Sequence, residues 1–257
     1  MIRTSVVALV VAVGMHIAGA AQAPSTRSER PNILLIQADD LGYGDLSVYG
    51  QTRFRTPSLD RLAKEGMRFT QYYAGSTVCA PSRAALMTGL HMGHATVRGN
   101  NPRVPLRPED VTVAEVLKEA GYRTALIGKW GLGALATTGQ PDRQGFEYWF
   151  GFLEQTHAHR QYPTHLWRNG ERVELNPERD YANDLFTRET AAFIERADAR
   201  PFFIHLNYTV PHAELRVPAD SLKAFQGSFP ETPFVNEKAD KQSSGPDEVS
   251  LGYRSHP

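Results

Sequence analysis

The sequence holds a single cysteine, Cys79, so no disulfide forms within the chain. It has no excess charge of either sign: 28 Lys plus Arg against 28 Asp plus Glu give a formal net charge of zero. That excludes the bulk basicity on which nucleic-acid and acidic-membrane binding rest. A long apolar run is also missing. The stretch from Val6 to Gly14 is followed by His16 and falls short of the ~20 residues that cross a bilayer. What remains is an ordinary globular composition, 41% apolar and 22% charged over 257 residues, enough for one large domain or two small ones.

The amino terminus reads as an export signal. Met1-Ile2-Arg3, the short apolar run, and then Ala18, Ala20, Ala21 and Ala23 follow the order of a secretory signal peptide over residues 1–23. Cleavage is expected after Ala20 or Ala23, and no cysteine lies nearby to take a lipid, so no stable membrane anchor is expected. The protein is expected to be periplasmic or secreted. Residues 24–30, Pro-Ser-Thr-Arg-Ser-Glu-Arg, form a polar linker.

Exported proteins usually pair their cysteines, which makes a solitary Cys79 conspicuous. The plain reading of one cysteine is a buried, inert small hydrophobe. Its neighbours offer another. Pro81 suits the first turn of a helix, and Ala84, Ala85, Leu86 and Met87 continue it. Cys79 then sits at a helix N-terminus with Arg83 in the first turn, where free amides and the helix dipole attract an anion. Spacing alone leaves these two readings balanced.

Along the chain, Ile33 to Ile36 is an all-apolar run suited to a buried parallel strand, and it ends at Asp39-Asp40. Ligands of open α/β sheets gather beyond strand carboxyl ends. Adjacent carboxylates there repel unless a hard divalent cation lies between them, although a solvated turn is the common alternative. Thr56-Pro57 opens a helix ending at Gly66, and Met67 to Tyr73 alternates like a strand. Thr112 and Glu115 form a capping box for a helix from Val113 to Ala120, closed by Gly121. Thr124 to Ile127 is the next strand and delivers Lys129 at its end, either as an ordinary surface lysine or as a cation facing the crevice. Asn169-Gly170 joins two strands in a type I′ hairpin. A helix from Leu185 to Ala197, with Phe186, Ala192, Phe193 and Ala197 inward, leads into a strand at Pro201-Phe202-Phe203 and then to His212. His212 is either structural or a proton donor. His157 and His159 share a segment in which packing against Trp167 and substrate or metal contact both remain open. The repeat of helix and strand predicts an α/β fold, a mostly parallel sheet sandwiched by helices.

Cys79-Ala80-Pro81-Ser82-Arg83 resembles the signature of type I sulfatases, in which a Cys-x-Pro-Ser-Arg cysteine is oxidised to formylglycine. Pro31-Asn32-Ile33, Asp39-Asp40-Leu41-Gly42, Gly128-Lys129-Trp130 and Pro201-Phe202-Phe203 running to Pro211-His212 occur in the same order as in that family, over residues 31–235. The resemblance implies an alkaline-phosphatase-like fold and hydrolysis of aryl or carbohydrate sulfate esters. It implies a divalent metal, calcium or magnesium, held by Asp39, Asp40 and modified Cys79, and a formylglycine-generating enzyme as a partner in maturation. Arg83 would stabilise the nucleophile, Lys129 would hold a sulfate oxygen, and His212 would serve as acid or leaving-group contact. One hydroxyl of the hydrated aldehyde would attack sulfur, and loss of the other's proton would expel sulfate and restore the aldehyde.

Two departures accompany the resemblance. Gly131 stands where many sulfatases carry a histidine, and His157 or His159 is the expected substitute. Residues 236–257 are a polar tail, after which the metal-completing Asp-Asn pair and a further lysine of sulfatases do not appear. The expectation is therefore an amino-terminal half, truncated, from an incomplete gene or an early stop. The alternatives are a phosphomonoesterase or phosphodiesterase on the same scaffold, which Cys79 in place of Ser or Thr disfavours, and a domain that turns nothing over.

Overall fold

A computed structural model describes residues 30–196, 198–212 and 214–230. The expected signal peptide, the linker apart from Arg30, the polar tail and the core role of Ala197 lie outside the described residues. In chain order the elements are β1 (Ile33–Asp39), α1 (Pro57–Glu65), α2 (Cys79–Thr88), α3 (Val113–Glu119), β2 (Arg123–Lys129), β3 (Tyr148–Phe152), β4 (His165–Arg168), β5 (Glu171–Glu174), α4 (Ala182–Glu195), β6 (Phe202–Pro211) and α5 (Ala219–Lys223).

Among the described residues six strands form one sheet in the order β1-β6-β2-β3-β4-β5. Neighbours from β1 to β3 run parallel, and β4 and β5 return antiparallel. Every residue of β2 is buried, as a parallel strand covered on both faces requires. On one face α2 and α3 pack Ala84, Met87 and Ala114 against Leu126 and Phe203. On the other, Phe186 and Phe193 of α4 cover Ile127, Ile204 and Leu206. The sheet is thus sandwiched by helices, as the alternation of elements predicts.

Local signals account for several boundaries. Thr112 accepts from the Glu115 amide while the Glu115 side chain returns to the Thr112 amide, and this capping box starts α3 as expected. Asn169 and Gly170 both have positive φ, 48° and 92°, which is the type I′ turn that Asn-Gly favours. Helix α2 begins at Cys79 itself, one residue earlier than its apolar pattern suggests; Pro81 fits there because its missing N–H lies in the unpaired first turn.

One expectation needs correction, and one strand has no counterpart in the sequence reading. Met67 to Tyr73 forms no strand: Met67 and Tyr73 are 81% and 80% exposed, and alternation does not make a strand where no neighbouring edge among the described residues offers hydrogen bonds. Strand β3 was not foreseen, because Tyr-Trp-Phe-Gly-Phe is a short apolar run without a period that separates strand from helix.

Candidate active site

Four elements bring their ends to one place at the carboxyl edge of the sheet. Between Gln37 and Asp39 of β1 the pairing with β6 shifts register, so that Gln37 faces Asn207 but Asp39 faces Pro211. Such an irregularity re-aims side chains at a strand end. Asp39 turns inward and is buried, whereas Asp40 has φ 64° and is exposed, a conformation that Asp tolerates better than most residues. The Asp39 carbonyl accepts from the His212 backbone amide at 3.0 Å, which ties the end of β6 to the end of β1.

Lys129, at the end of β2 and fully buried, donates from Nζ to Asp39 Oδ2 at 2.6 Å. Arg83, one turn into α2, places Nη2 3.5 Å from the same oxygen and donates from Nη1 to the Lys129 carbonyl at 2.8 Å. Burial opposes ionisation of Asp39, but the Arg83 and Lys129 charges outweigh it and hold the carboxyl below its ordinary range. These are compact charged contacts in a place water barely reaches, where removal of one partner leaves the other costly.

Cys79 shares this cluster. Its thiol is held below the ordinary cysteine value, first by a hydrogen bond with the His212 side chain and then by the Lys129 charge, against burial and the nearby Asp39. The opening of α2 therefore carries a half-buried thiol inclined toward its anion. His212 Nε2 lies 3.5 Å from Asp40 Oδ2, and its ring stacks on His159 with centroids 4.6 Å apart. Burial, then the charge of His212, pushes His159 down to about 4.

The structure separates the two histidines that the sequence leaves together. His159 joins His212. His157 is turned away and packed within the fold, edge-on to Phe152 at 4.8 Å and against His165 at 4.3 Å, and it is His165 that meets Trp167, at 5.6 Å. A 3-10 turn over His157–His159 directs them differently, whereas an extended segment would have put both on one face.

Residues that sequence reasoning missed support the site from behind. Buried Gln161 donates to the His212 carbonyl at 3.2 Å, and its Oε1 accepts from Asn183 at 2.8 Å and Thr209 at 2.8 Å. Asn100 accepts from the Ala80 amide at 2.9 Å, satisfying an unpaired N–H at the start of α2. Neither has a local motif; only the tertiary contact reveals the role.

The donor set suits a hard cation in kind but not in number. Asp39 and Asp40 offer carboxylate oxygens, yet Asp39 is already engaged by Lys129 and Arg83. Among the described residues no group of three or more His, Cys, Asp or Glu could hold a metal ion. A calcium ion takes six to eight oxygens, so these two acids are at most part of such a shell.

Comparison with known proteins agrees with this geometry. The family model described as Sulfatase matches residues 31–246. The arylsulfatase of Klebsiella aerogenes is 35% identical over 243 residues, covering 86% of this chain and 51% of that protein. Among solved structures, Ps i-CgsB in complex with k-i-k-neocarrahexaose superposes with a TM-score of 0.70 at 30% identity, over 78% of this chain and 49% of the other. A protein solved with its substrate D-glucosamine-2-N,6-O-disulfate gives 0.67 at 31% identity, over 79% and 39%. The chain belongs to the sulfatase family and has its alkaline-phosphatase-like α/β fold. It spans about half the length of the curated relatives it matches.

Proposed function

We propose that this chain carries the nucleophile-bearing part of a sulfuric ester hydrolase that cleaves aryl or carbohydrate sulfate monoesters. The observation that carries the reading is the convergence of Arg83, Lys129, Asp39 and His212, from four separate elements, on the thiol of Cys79. Formylglycine made from Cys79 would supply a hydrated aldehyde as nucleophile, and calcium or magnesium, held in part by Asp39 and Asp40, would supply Lewis acidity.

The chain's own residues do the rest. Buried Arg83 and Lys129 present positive charge toward the start of α2, where a dianionic transition state needs it and where no solvent has to reorganise. Their mutual tie to Asp39 fixes both heads before substrate arrives. His212, between Asp40 and residue 79, is placed to move a proton to the departing alcohol. Stacked His159 remains neutral near pH 7 and therefore adds no charge that would discourage protonation of His212. Gln161 holds the His212 backbone, and through it the ring, in place.

The lone thiol favours sulfate over phosphate esters, since it is the residue that maturation by a formylglycine-generating enzyme would convert. The amino-terminal pattern supports export to the periplasm or medium. The test is parallel turnover of 4-nitrophenyl sulfate and 4-nitrophenyl phosphate by protein coexpressed with the maturation enzyme, with conversion of residue 79 followed by intact mass. Sulfate hydrolysis that disappears in Cys79→Ala is expected. Phosphate hydrolysis that survives Cys79→Ala would replace this reading with the phosphoesterase one, and full conversion without turnover would leave a non-catalytic domain.

A further inference from the structure

The buried residues behind His212 form a run of hydrogen bonds whose direction is fixed at both ends. It starts at the Thr209 backbone amide on β6, which can only donate, and which gives to Asn183 Oδ1 at 3.0 Å. The other end of that side chain, Nδ2, donates to Gln161 Oε1 at 2.8 Å. Gln161 Nε2 in turn donates at 3.2 Å to the His212 carbonyl, a group that can only accept. The Thr209 hydroxyl has one proton to place and lies 2.8 Å from Gln161 Oε1 against 3.2 Å from Asn183 Oδ1. Both amides are therefore held one way round, because turning either over would set donor against donor and acceptor against acceptor.

Gln161, Asn183 and Thr209 are 0%, 5% and 1% exposed. Three polar side chains in so dry a place are costly unless each is satisfied, and an apolar trio of similar size would avoid the cost. What the polar trio provides is direction. It joins the first turn of α4 to residue 161 and to the end of β6, and it spans the backbone from Thr209 to His212. The His212 amide is bonded separately to the Asp39 carbonyl at 3.0 Å. Both polar backbone groups of His212 are thus engaged, and its ring leaves the chain from a fixed base.

We infer that Asn183 and Thr209 are positioning residues for His212, acting through Gln161 to hold the ring between Asp40 and residue 79. The inference rests on the reading of His212 as proton donor to the departing alcohol. Asn183 Nδ2 and the Thr209 hydroxyl both claim Gln161 Oε1, which leaves Nε2 as the end that meets the His212 carbonyl. Without them the Gln161 amide is free to turn, the carbonyl loses its donor, and the segment after Thr209 relaxes and carries the ring away from His159 and residue 79.

Two measurements test this. In the full chain with its thiol intact, NMR follows the His212 ring signals, assigned by their loss in His212→Gln, and the cross-relaxation to His159 that rings 4.6 Å apart produce. Asn183→Leu and Thr209→Val should shift those signals and weaken that contact, whereas Thr209→Ser, which keeps the hydroxyl, should leave both as they are. Thr209→Val carries the test if Asn183→Leu does not fold. His212 signals that stay in place in the folded variants, whatever the loss in stability, or that move as far in Thr209→Ser, overturn the inference. In the formylglycine-converted protein, Asn183→Leu should lower kcat about tenfold with KM within about twofold, and should do so more for phenyl sulfate than for 4-nitrophenyl sulfate, whose better leaving group depends less on the proton. An equal loss for the two esters overturns the positioning role. If the converted protein turns over neither ester, the reading of His212 as proton donor falls, and the ring signals alone decide whether Asn183 and Thr209 hold it in place.

Discussion

The two strands that carry the site's central ion pair are built to different standards. Lys129 ends β2, in the middle of the sheet and buried at every position. Asp39 ends β1, an outer strand in the described sheet whose Leu34 and Ile36 are 42% and 53% exposed. The segment that follows β1 continues the contrast, with Leu62, Met67, Phe69, Tyr72 and Tyr73 all exposed. One wall of the site is therefore fixed by close packing, whereas the other is tied down chiefly by its pairing with β6 and by the link from Asp39 to Lys129 and Arg83. Charged groups here hold parts of the fold together. Precision at Lys129 comes from the core, and precision at Asp39 is borrowed from Lys129.

The comparison can be broken at its strongest point first. Phe186→Ala removes a fully buried ring beneath β2 and β6 and should cost about 4 kcal/mol, within the range for large-to-small core changes. Urea denaturation measures it, and a loss below 1 kcal/mol would show the centre to be no better packed than the edge. Lys129→Met should cost about 3 kcal/mol, since it leaves Asp39 buried beside Arg83 alone. Pairing it with Asp39→Asn should recover part of that loss, and no recovery in the double variant would mean that the tie between the strands is not electrostatic.

Acid should act next. Burial lowers His157 to about 4 and His205 to about 3, in each case below the unfolded value of about 6.5. The unfolded chain then binds protons that the folded one refuses. Stability from these two residues is complete above about pH 6.5 and falls as the pH drops through 6 toward 4, by up to about 1.4 kcal/mol for each tenfold difference in proton affinity. Denaturation midpoints measured from pH 7.5 to 4.5 should decline, and His205→Gln should flatten the decline; an unchanged slope would remove His205 from the account. Smallest of all, Ile36→Ser should change stability by no more than about 0.5 kcal/mol, in line with ordinary exposed positions. It should also reduce concentration-dependent self-association in sedimentation, because an exposed apolar strand at a sheet edge invites pairing.

Legibility followed the range of the interactions. The capping box at Thr112 and Glu115, the Asn169-Gly170 turn and the helix beginning near Pro81 are written in neighbouring residues and came out as read. Strand ends bearing Asp39, Lys129 and His212 were legible too, because in a parallel sheet the carboxyl ends of strands share one side. Met67 to Tyr73 misled because its alternation has no partner edge among the described residues, a fact that no local pattern contains. His157 and His159 look equivalent in sequence, yet a single 3-10 turn sends one to Phe152 and the other to His212.

The sequence by itself determined the chemistry available: one thiol opening a helix beside an arginine, an acid pair and a lysine at strand ends, and the periodicities that demand a layered α/β fold. Tertiary structure alone decided how that chemistry is distributed. It joined Lys129 to Asp39, stacked His159 on His212 and set Gln161 behind the histidine. The reason is physical: secondary structure and strand polarity arise from contacts a few residues apart, whereas a side chain's partner across the sheet is fixed only when distant segments exclude water together.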